Sequence, residues 1–273
     1  MFARAQVVVA ALLALTGAAK PPAPPVLTIV ATDFAFTVPG GAKAIVPAGP
    51  VTFHLVNHGK EMHMMGVVWL GDKTAADFIQ ALRKQSFVGA EVGGVNGIAP
   101  GESGTSTVIL KPGNAVLVCW VVSADHKLHA LEGMFAPIVV ERPTGQTAVE
   151  PPTSIGIALH DYSISIPNDM HAGRHVFRVN NEGSVTHDVE LFRLSPGADT
   201  ADVMAWVDKP AVGSARAYPL GGIVGEDQGL HSYFDADLTP GDYMLLCWMP
   251  DAKTGVPHFY GHHMWIKFHV SSS

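Results

Sequence analysis

Short apolar or alternating runs, separated by Gly and Pro, recur along most of the chain. In the first half they cover 51–55, 66–70, 106–110, 115–118 and 135–140, and in the second half 176–179, 189–191, 233–238, 243–246 and 265–270. Runs of this length between turn residues predict β-strands, and about seven such strands in roughly 115 residues predict a β-sandwich. Helical patterns at 74–83 and 201–208 predict one short helix inserted between strands in each half.

The two halves are copies of one another. Asn57-x-Gly59-x3-His63 aligns without a gap with Asn181-x-Gly183-x3-His187. Gly-Gly pairs follow at 93–94 and 221–222, and each copy then shows Pro-Gly, five residues and Cys-Trp. We therefore predict an all-β protein with two tandem Greek-key β-sandwich domains, 26–141 and 153–270. The Pro-, Gly- and Thr-containing segment 142–152 is predicted to link them.

Composition and charge narrow the function. Hydrophobic residues make up 48% of the chain and charged residues 15%, which is typical of a folded protein and not of a disordered one. The net charge is −7 and no basic run is present, so nucleic acid is not expected as a partner. Two cysteines exclude a disulfide-dense scaffold and any four-cysteine metal site.

The N-terminus has the pattern of an export signal. One positive charge at Arg4, an apolar run over 7–15 and small residues up to Ala19 predict a signal peptide over 1–19, followed by a Pro-rich leader over 20–25. The alternative is an uncleaved membrane anchor. No other segment is long and apolar enough to span a membrane, so we expect a periplasmic or secreted mature protein with no stable membrane span.

Each cysteine stands in the same chemical context. A histidine and then a methionine follow it, and a further histidine lies well upstream. Two imidazoles, a thiolate and a more distant thioether form a trigonal copper site with a weak axial ligand. The alternatives are a Cys119–Cys247 disulfide, which is disfavoured by their equivalent positions in separate cores, and inert buried thiols.

With the predicted sandwiches, these motifs resemble the cupredoxins, the type 1 copper family that includes plastocyanin and azurin. The family order is one early His, then Cys, His and Met on the final loop. The resemblance implies copper ligands His63, Cys119, His129 and Met134 in the first domain and His187, Cys247, His258 and Met264 in the second. This sequence departs from the family in one respect, because nine and ten residues separate Cys from His, where the family usually has two to four.

The resemblance implies single-electron transfer with a redox protein partner, or exchange with a copper donor or acceptor. It also implies that His129 and His258 present a ring edge at an apolar surface as the electron exit. The alternatives are a copper carrier or scavenger and a metal-free binding or scaffold module. Copper oxidases built from such domains need additional histidines, typically His-x-His pairs. None occurs here, and no His flanks either Cys, so the sequence predicts a protein that is not an enzyme.

Three further groups are weaker candidates for metal binding. His126 would shorten the first Cys-to-His interval but would break the His-to-Met spacing. His262 and His263 are rivals to His258 or an additional surface site. In the run 62–65, strand alternation predicts that Met62 and Met64 face away from His63 and Met65, so core packing competes there with an extra Cu(I) site.

Overall fold

The computed structural model of the protein describes residues 21–123, 125–209 and 215–272. The predicted signal peptide lies outside these residues. Within them, no helix has both the length and the apolar character needed to cross a membrane.

Eighteen strands lie among the described residues, nine in each half of the chain. The first nine are β1 (Val26–Thr32), β2 (Ala35–Thr37), β3 (Ile45–Pro47), β4 (Gly49–Asn57), β5 (His63–Gly71), β6 (Ala90–Ile98), β7 (Ser103–Leu110), β8 (Gly113–Val118) and β9 (Phe135–Glu141). The second nine are β10 (Ile155–His160), β11 (Ser163–Ser165), β12 (Met170–His171), β13 (Gly173–Asn181), β14 (His187–Leu194), β15 (Ala217–Glu226), β16 (His231–Leu238), β17 (Gly241–Leu246) and β18 (Trp265–Ser271).

The described helices are short. They are α1 (Ala75–Arg83), α2 (His129–Glu132), α3 (Thr200–Asp208) and α4 (His258–Gly261), with a 3-10 turn at Gly41–Lys43. Both longer helices begin at a capping box, in which Thr74 and Asp77 serve α1 and Asp199 and Asp202 serve α3. Each cap satisfies amide groups of the first turn that have no partner within the helix.

The strands form two sheets that run through both halves. One has the order β2-β1-β4-β7-β16-β13-β10-β11, and the other has the order β3-β9-β8-β5-β6-β15-β14-β17-β18-β12. The halves meet where β7 pairs with β16 and β6 pairs with β15, and in both cases the paired strands occupy equivalent places in the repeat. The two sandwiches are therefore joined edge to edge about an approximate twofold axis, and their edges are paired there rather than exposed.

Each half has its own core between the two sheets. Along β4, Val51, Phe53 and Leu55 alternate inward with complete burial, and Phe177 and Val179 do so along β13. Burying one such side chain contributes about 1.5–3 kcal/mol relative to exposure. The predicted all-β fold of two tandem sandwiches, each with a short helical insertion, is confirmed. The domain boundaries 26–141 and 153–270 stay a prediction.

Sequence patterns do not reveal β6 and β15, because the Gly-Gly pairs interrupt their apolar runs. Gly94 and Gly222 have φ values of 144° and 154°. A Cβ atom at these positions would lie 2.0 Å from the carbonyl oxygen of Met65 and 2.1 Å from that of Val189. The glycines therefore let β6 and β15 approach the neighbouring strand of their own sandwich.

The outer face of the larger sheet carries the helices. In the first half, Phe78 and Ile79 of α1 pack with Val68 and Val116. In the second half, Val203 and Trp206 of α3 are buried in the same apolar group as Phe192. The paired strands β6 and β15 lie between the part of the sheet covered by α1 and the part covered by α3.

Candidate metal centres

Three donor atoms converge inside the first half. His63 Nδ1 and His129 Nδ1 are 3.3 Å apart, and Cys119 Sγ lies 4.0 Å from the former and 3.5 Å from the latter. All three residues are fully buried. Ligands at ordinary metal–nitrogen and metal–sulfur bond lengths around one trigonal ion would be about 3.5–3.8 Å apart. The donor set and its spacing therefore fit a copper ion.

The second half repeats this arrangement. Cys247 Sγ lies 3.7 Å from His187 Nδ1 and 3.5 Å from His258 Nδ1. The three ligand atoms lie within 4.8 Å of one another, and all three residues are buried. Both cysteines are free, so the alternative of a disulfide between them is not realised.

The long interval between Cys and His is absorbed by a hairpin-like excursion. Val122 and Leu128 form an isolated antiparallel bridge, and the amide of His129 then donates to the carbonyl of Val121 at 2.9 Å. In the second half Pro250 bridges Pro257, and the amide of His258 donates to the carbonyl of Met249 at 2.8 Å. The chain leaves each site and returns to it, so the additional residues do not move the second imidazole away from the sulfur.

Carboxylates orient the histidines from behind. His63 Nε2 lies 2.9 Å from Asp33 Oδ1, and the Asp33 carboxylate also accepts the amide of Lys60 at 2.9 Å. His129 Nε2 lies 3.1 Å from Glu61 Oε2. These contacts fix a proton on Nε2 and leave Nδ1 free to bind a metal. In the second half, Asp161 Oδ1 is 3.6 Å from His187 Nε2, which is a looser contact.

Burial keeps the unliganded groups neutral. It raises the pKa of the Cys119 thiol to about 12 and that of Cys247 well above the ordinary value. Burial lowers the pKa of His63 and His187, and with the neighbouring His187 it lowers that of His258 to about 4. The imidazoles of His63, His187 and His258 therefore keep a free lone pair at neutral pH, whereas each thiol must lose its proton when a metal binds.

The turn between the first two strands of each half covers the site, a role that the sequence patterns do not predict. The Phe34 ring centroid lies 4.7 Å from that of His129, and the Tyr162 ring centroid lies 5.0 Å from that of His258. Asp33-Phe34 and Asp161-Tyr162 recur at the same place in both copies, and this recurrence is the signal available in the sequence. From the strand pattern alone, these pairs would be core positions of the first strand.

The expected electron exit is corrected by these contacts. His129 has no exposed surface and His258 is 2% exposed, because the aromatic rings of Phe34 and Tyr162 lie against them. Phe259, the residue after His258, is itself buried, whereas Leu131, two residues after His129, is exposed. Neither imidazole presents a ring edge to solvent.

The remaining predicted residues fall into two classes. Met134 and Met264 are fully buried, and their carbonyl oxygens accept the amides of Cys119 and Cys247 at 3.1 Å, so each methionine lies beside the cysteine of its half. Among the described residues, His126, His262 and His263 join neither donor group. His262 instead stacks on Tyr162 at 3.6 Å and contacts Asp251.

The run 62–65 alternates as predicted. Met65 and His63 are buried, while Met62 and Met64 are only partly buried. Met64 lines a space between the two halves. Burial along this run therefore alternates from one residue to the next, as the strand pattern predicts.

The fold assignment rests on two observations. The chain forms two sandwiches in tandem, and each sandwich has a buried His–Cys–His group at one end. The chain has a tandem cupredoxin fold. The predicted resemblance to the cupredoxins is confirmed, and both groups support copper as the cofactor. The assignment of eight individual ligands stays a prediction.

No protein-family model and no curated protein matches the chain. Solved structures with similar folds include reduced auracyanin from the photosynthetic bacterium Roseiflexus castenholzii, at 21% identity and a TM-score of 0.32, over 44% of this chain and 98% of that one. A multicopper oxidase matches at 14% identity and a TM-score of 0.28, over 90% of this chain and 88% of that one. A blue copper oxidase from Nitrosomonas europaea matches at 16% identity and a TM-score of 0.27, over 92% and 86%.

These comparisons correct the prediction that the protein is not an enzyme. Two proteins that match over both halves of this chain are named as oxidases. The prediction rests on the absence of His-x-His pairs, and the absence of one ligand pattern does not exclude enzymatic use of the same architecture. The prediction is therefore withdrawn.

Proposed function

We propose that this tandem cupredoxin is an exported copper protein that transfers single electrons through one or both of its buried His2Cys groups. The observation that carries the proposal is the convergence of two Nδ1 atoms and one Sγ atom in each half. The predicted signal peptide over 1–19 supports export to the periplasm or the exterior. A redox protein, or a protein that donates or accepts copper, would be the partner.

The chain's residues would have distinct roles in such a centre. His63, Cys119 and His129 would be the strong ligands of the first site, with Met134 as a weak fourth ligand. His187, Cys247, His258 and Met264 would have the same roles in the second. Bound copper would supply the one-electron chemistry by alternating between Cu(I) and Cu(II), both of which suit a mixed nitrogen and sulfur ligand set.

The surrounding residues would hold this ligand set in place. Asp33 and Glu61 fix the orientation of the two imidazoles of the first site through their Nε2 atoms. The amides of Met64 and Asp188 donate to the two sulfur atoms, each at 3.5 Å. Amide donation stabilises a thiolate, and a rigid dry site limits rearrangement when the charge changes.

Copper loading of single variants tests the proposal. We expect the full chain to bind two copper ions with intense visible absorption from thiolate-to-Cu(II) charge transfer. Cys119→Ser and Cys247→Ser should each remove one ion and its absorption, and the double variant should remove both. Each single variant is the matched control for the other. A colourless protein that takes up no copper would leave only a metal-free scaffold.

Electron transfer is separated from copper carriage by a second measurement. We expect the reduced, copper-loaded protein to exchange electrons with the oxidised, copper-loaded protein while copper stays bound. Broadening of NMR lines would detect this exchange. If copper passes to an acceptor on the same time scale and no electron exchange occurs, the protein is a copper carrier instead.

A further inference from the structure

A cavity of about 420 Å³ lies where the two halves join. Met64 and Asp188 occupy equivalent places in the repeat, as do Trp120 and Trp248, and all four line it. The cavity therefore lies on the approximate twofold axis, on the outer face of the larger sheet. We call it the interdomain cavity. Its volume falls within the range of about 300–1,000 Å³ that is typical of small-molecule sites.

Aromatic rings form much of its wall. Trp120 and Trp248 line it from the two halves, and Phe87 lines it with 46% of its surface exposed. Phe87 thus marks the side on which the cavity meets solvent. Indole and phenyl faces carry partial negative charge and attract cations, most strongly when the cation has lost its water.

Two buried carboxyl groups also line the cavity. Glu91 is 8% exposed and Asp188 is 5% exposed. None of the described residues that line the cavity is Lys, Arg or His. The Asp188 carboxylate already accepts the amide of Trp248 at 2.7 Å. A buried carboxyl group is costly to ionise without a positive charge nearby, so a cation in the cavity would stabilise the ionised form of Glu91 in particular.

The fold of each half does not require an acidic residue at the positions of Glu91 and Asp188. Pro219 stands at the position equivalent to Glu91, and Met64 at the position equivalent to Asp188. The Glu91 carboxyl group packs over Gly225, where a Cβ atom would lie 2.7 Å from the carboxyl carbon. Each acid is therefore present in one copy of the repeat and absent from the equivalent position of the other. The pairing of the two halves brings both acids to the same cavity.

Trp120 and Trp248 differ in the hydrogen bonds of their indole N–H groups. Trp248 Nε1 donates to Glu190 Oε2 at 2.5 Å. Gly66 stands at the position equivalent to Glu190, and Trp120 Nε1 is buried without a hydrogen-bond partner among the described residues. Trp120 and Glu91 both line the cavity, and donation from the Trp120 indole would favour the ionised form of Glu91.

The charge state of Glu91 agrees with this geometry. Burial, and then the carboxylates of Asp227 and Asp188, raise the pKa of Glu91 to about 8. The Asp227 carboxylate also accepts the amide of Glu91 at 3.2 Å. A positive charge in the cavity would offset each of these unfavourable effects on the carboxylate.

We propose that the interdomain cavity binds a small organic cation of the alkylammonium class. Its positive charge would lie near Glu91 and Asp188, and its alkyl groups would pack against Trp120, Trp248 and Phe87. An alkylammonium group suits the site better than a bare metal ion, because no three His, Cys, Asp or Glu donors converge among the described residues that line the cavity. The proposal does not depend on copper binding.

A titration of the full, copper-free chain with tetramethylammonium chloride tests this assignment. The indole N–H signals of Trp120 and Trp248 would be followed by two-dimensional ¹⁵N NMR and assigned with Trp120→Phe and Trp248→Phe. Sodium chloride at equal ionic strength controls for salt, and tert-butanol is a neutral probe of similar size. We expect saturable shifts of both indole signals with tetramethylammonium, and at least tenfold weaker binding of tert-butanol.

Glu91→Gln keeps the shape of the side chain and removes its charge. We expect it to weaken tetramethylammonium binding at least tenfold, while Glu141→Gln, an exposed acid in the same half, leaves binding unchanged. Dispersed amide signals in both variants would show that they are folded. Equal binding of the two probes, unchanged affinity in Glu91→Gln, or shifts that bypass both indoles would each overturn the proposal.

Discussion

The ring of Phe34 lies against the ring of His129 at a centroid distance of 4.7 Å and an interplanar angle of 66°. Tyr162 stands at the equivalent turn of the second half and meets His258 at 85°. One aromatic side chain of the first β-hairpin of each half therefore lies against an imidazole of each proposed copper centre. We expect this ring to limit access to the centre.

Phe34→Ala should open the first centre and leave the second unchanged. Loss of an aromatic pair costs about 0.5–1.5 kcal/mol, which corresponds to roughly a 2- to 12-fold change in rate. We expect a bulky Cu(I) chelator to remove copper from the first centre faster by that factor. The measurement is the initial rate in a Cys247→Ser background, in which only the first centre holds copper.

Phe36→Ala provides the matched control, because Phe36 lies in the same hairpin and is likewise partly buried against the core of the first half. It should leave the chelation rate unchanged. Equal acceleration by both substitutions would mean that general loosening of the hairpin, and not the ring over His129, controls access.

Asp33→Asn and Asp161→Asn should weaken the two centres unequally. The Asp33 carboxylate lies 2.9 Å from His63 Nε2, whereas Asp161 lies 3.6 Å from His187 Nε2. Removal of a carboxylate behind a metal-binding histidine typically costs about 10- to 100-fold in metal affinity. We expect a loss in that range for Asp33→Asn and a smaller one for Asp161→Asn.

Competitive Cu(I) titration of each centre, in the background that lacks the other cysteine, measures both constants. Equal losses in the two halves would show that the shorter contact at Asp33 has no additional effect on its histidine.

The features that repeat along the chain can be predicted from its sequence. The pattern from Asn57 to His63 returns at Asn181 to His187, so the repeat alone identifies the upstream histidine of each half. The Cys–His–Met order predicts the rest of each ligand set. Local periodicity also locates ten strands and the two longer helices, because each has a regular face toward a core.

Features that depend on contacts between distant parts of the chain cannot be predicted from the sequence patterns. The cover provided by Phe34 depends on a turn packing against a loop about 95 positions later, since His129 lies that far along the chain. The interdomain cavity depends on β6 meeting β15, and the Gly-Gly pairs hide both strands. The long interval between Cys119 and His129 argues against convergence, and the bridge between Val122 and Leu128 is what allows it.

The stability of the copper-free protein should fall as the pH rises from 6.5 to 8, and Glu226 should account for part of the fall. Glu226 is fully buried, both carboxyl oxygens lack a hydrogen-bond partner among the described residues, and burial raises its pKa to about 8. A folded-state pKa above the unfolded value means that the folded state holds the extra proton. The stabilising contribution of protonated Glu226 is therefore fully present below about pH 4.5 and is lost as the pH rises through 8.

The window above pH 6.5 avoids the opposite effect of the buried histidines, whose lowered pKa values act below it. Glu226→Gln removes the titrating group, so we expect it to be more stable than the wild type at pH 8 by at least about 1 kcal/mol relative to their difference at pH 6.5. Urea unfolding at the two pH values measures this. Parallel pH profiles of variant and wild type would mean that Glu226 does not titrate in this range.

Gly222→Ala should destabilise the second half strongly, because the new Cβ atom would lie 2.1 Å from the carbonyl oxygen of Val189 at a φ of 154°. Strain of this kind combined with a backbone clash costs about 3 kcal/mol or more, or roughly 6–12 °C in melting temperature for a chain of this size.

Gly145→Ala is the matched control, since no atom would lie within 4 Å of its Cβ and its φ is not in the left-handed region. Gly94→Ala should reproduce the loss in the first half, where the corresponding distance to the Met65 carbonyl oxygen is 2.0 Å. Calorimetric melting of the three variants tests the argument. A loss in Gly222→Ala no larger than in Gly145→Ala would mean that β14 and β15 can separate at little cost. In that case the two Gly-Gly pairs would not be what sets the spacing of these strands.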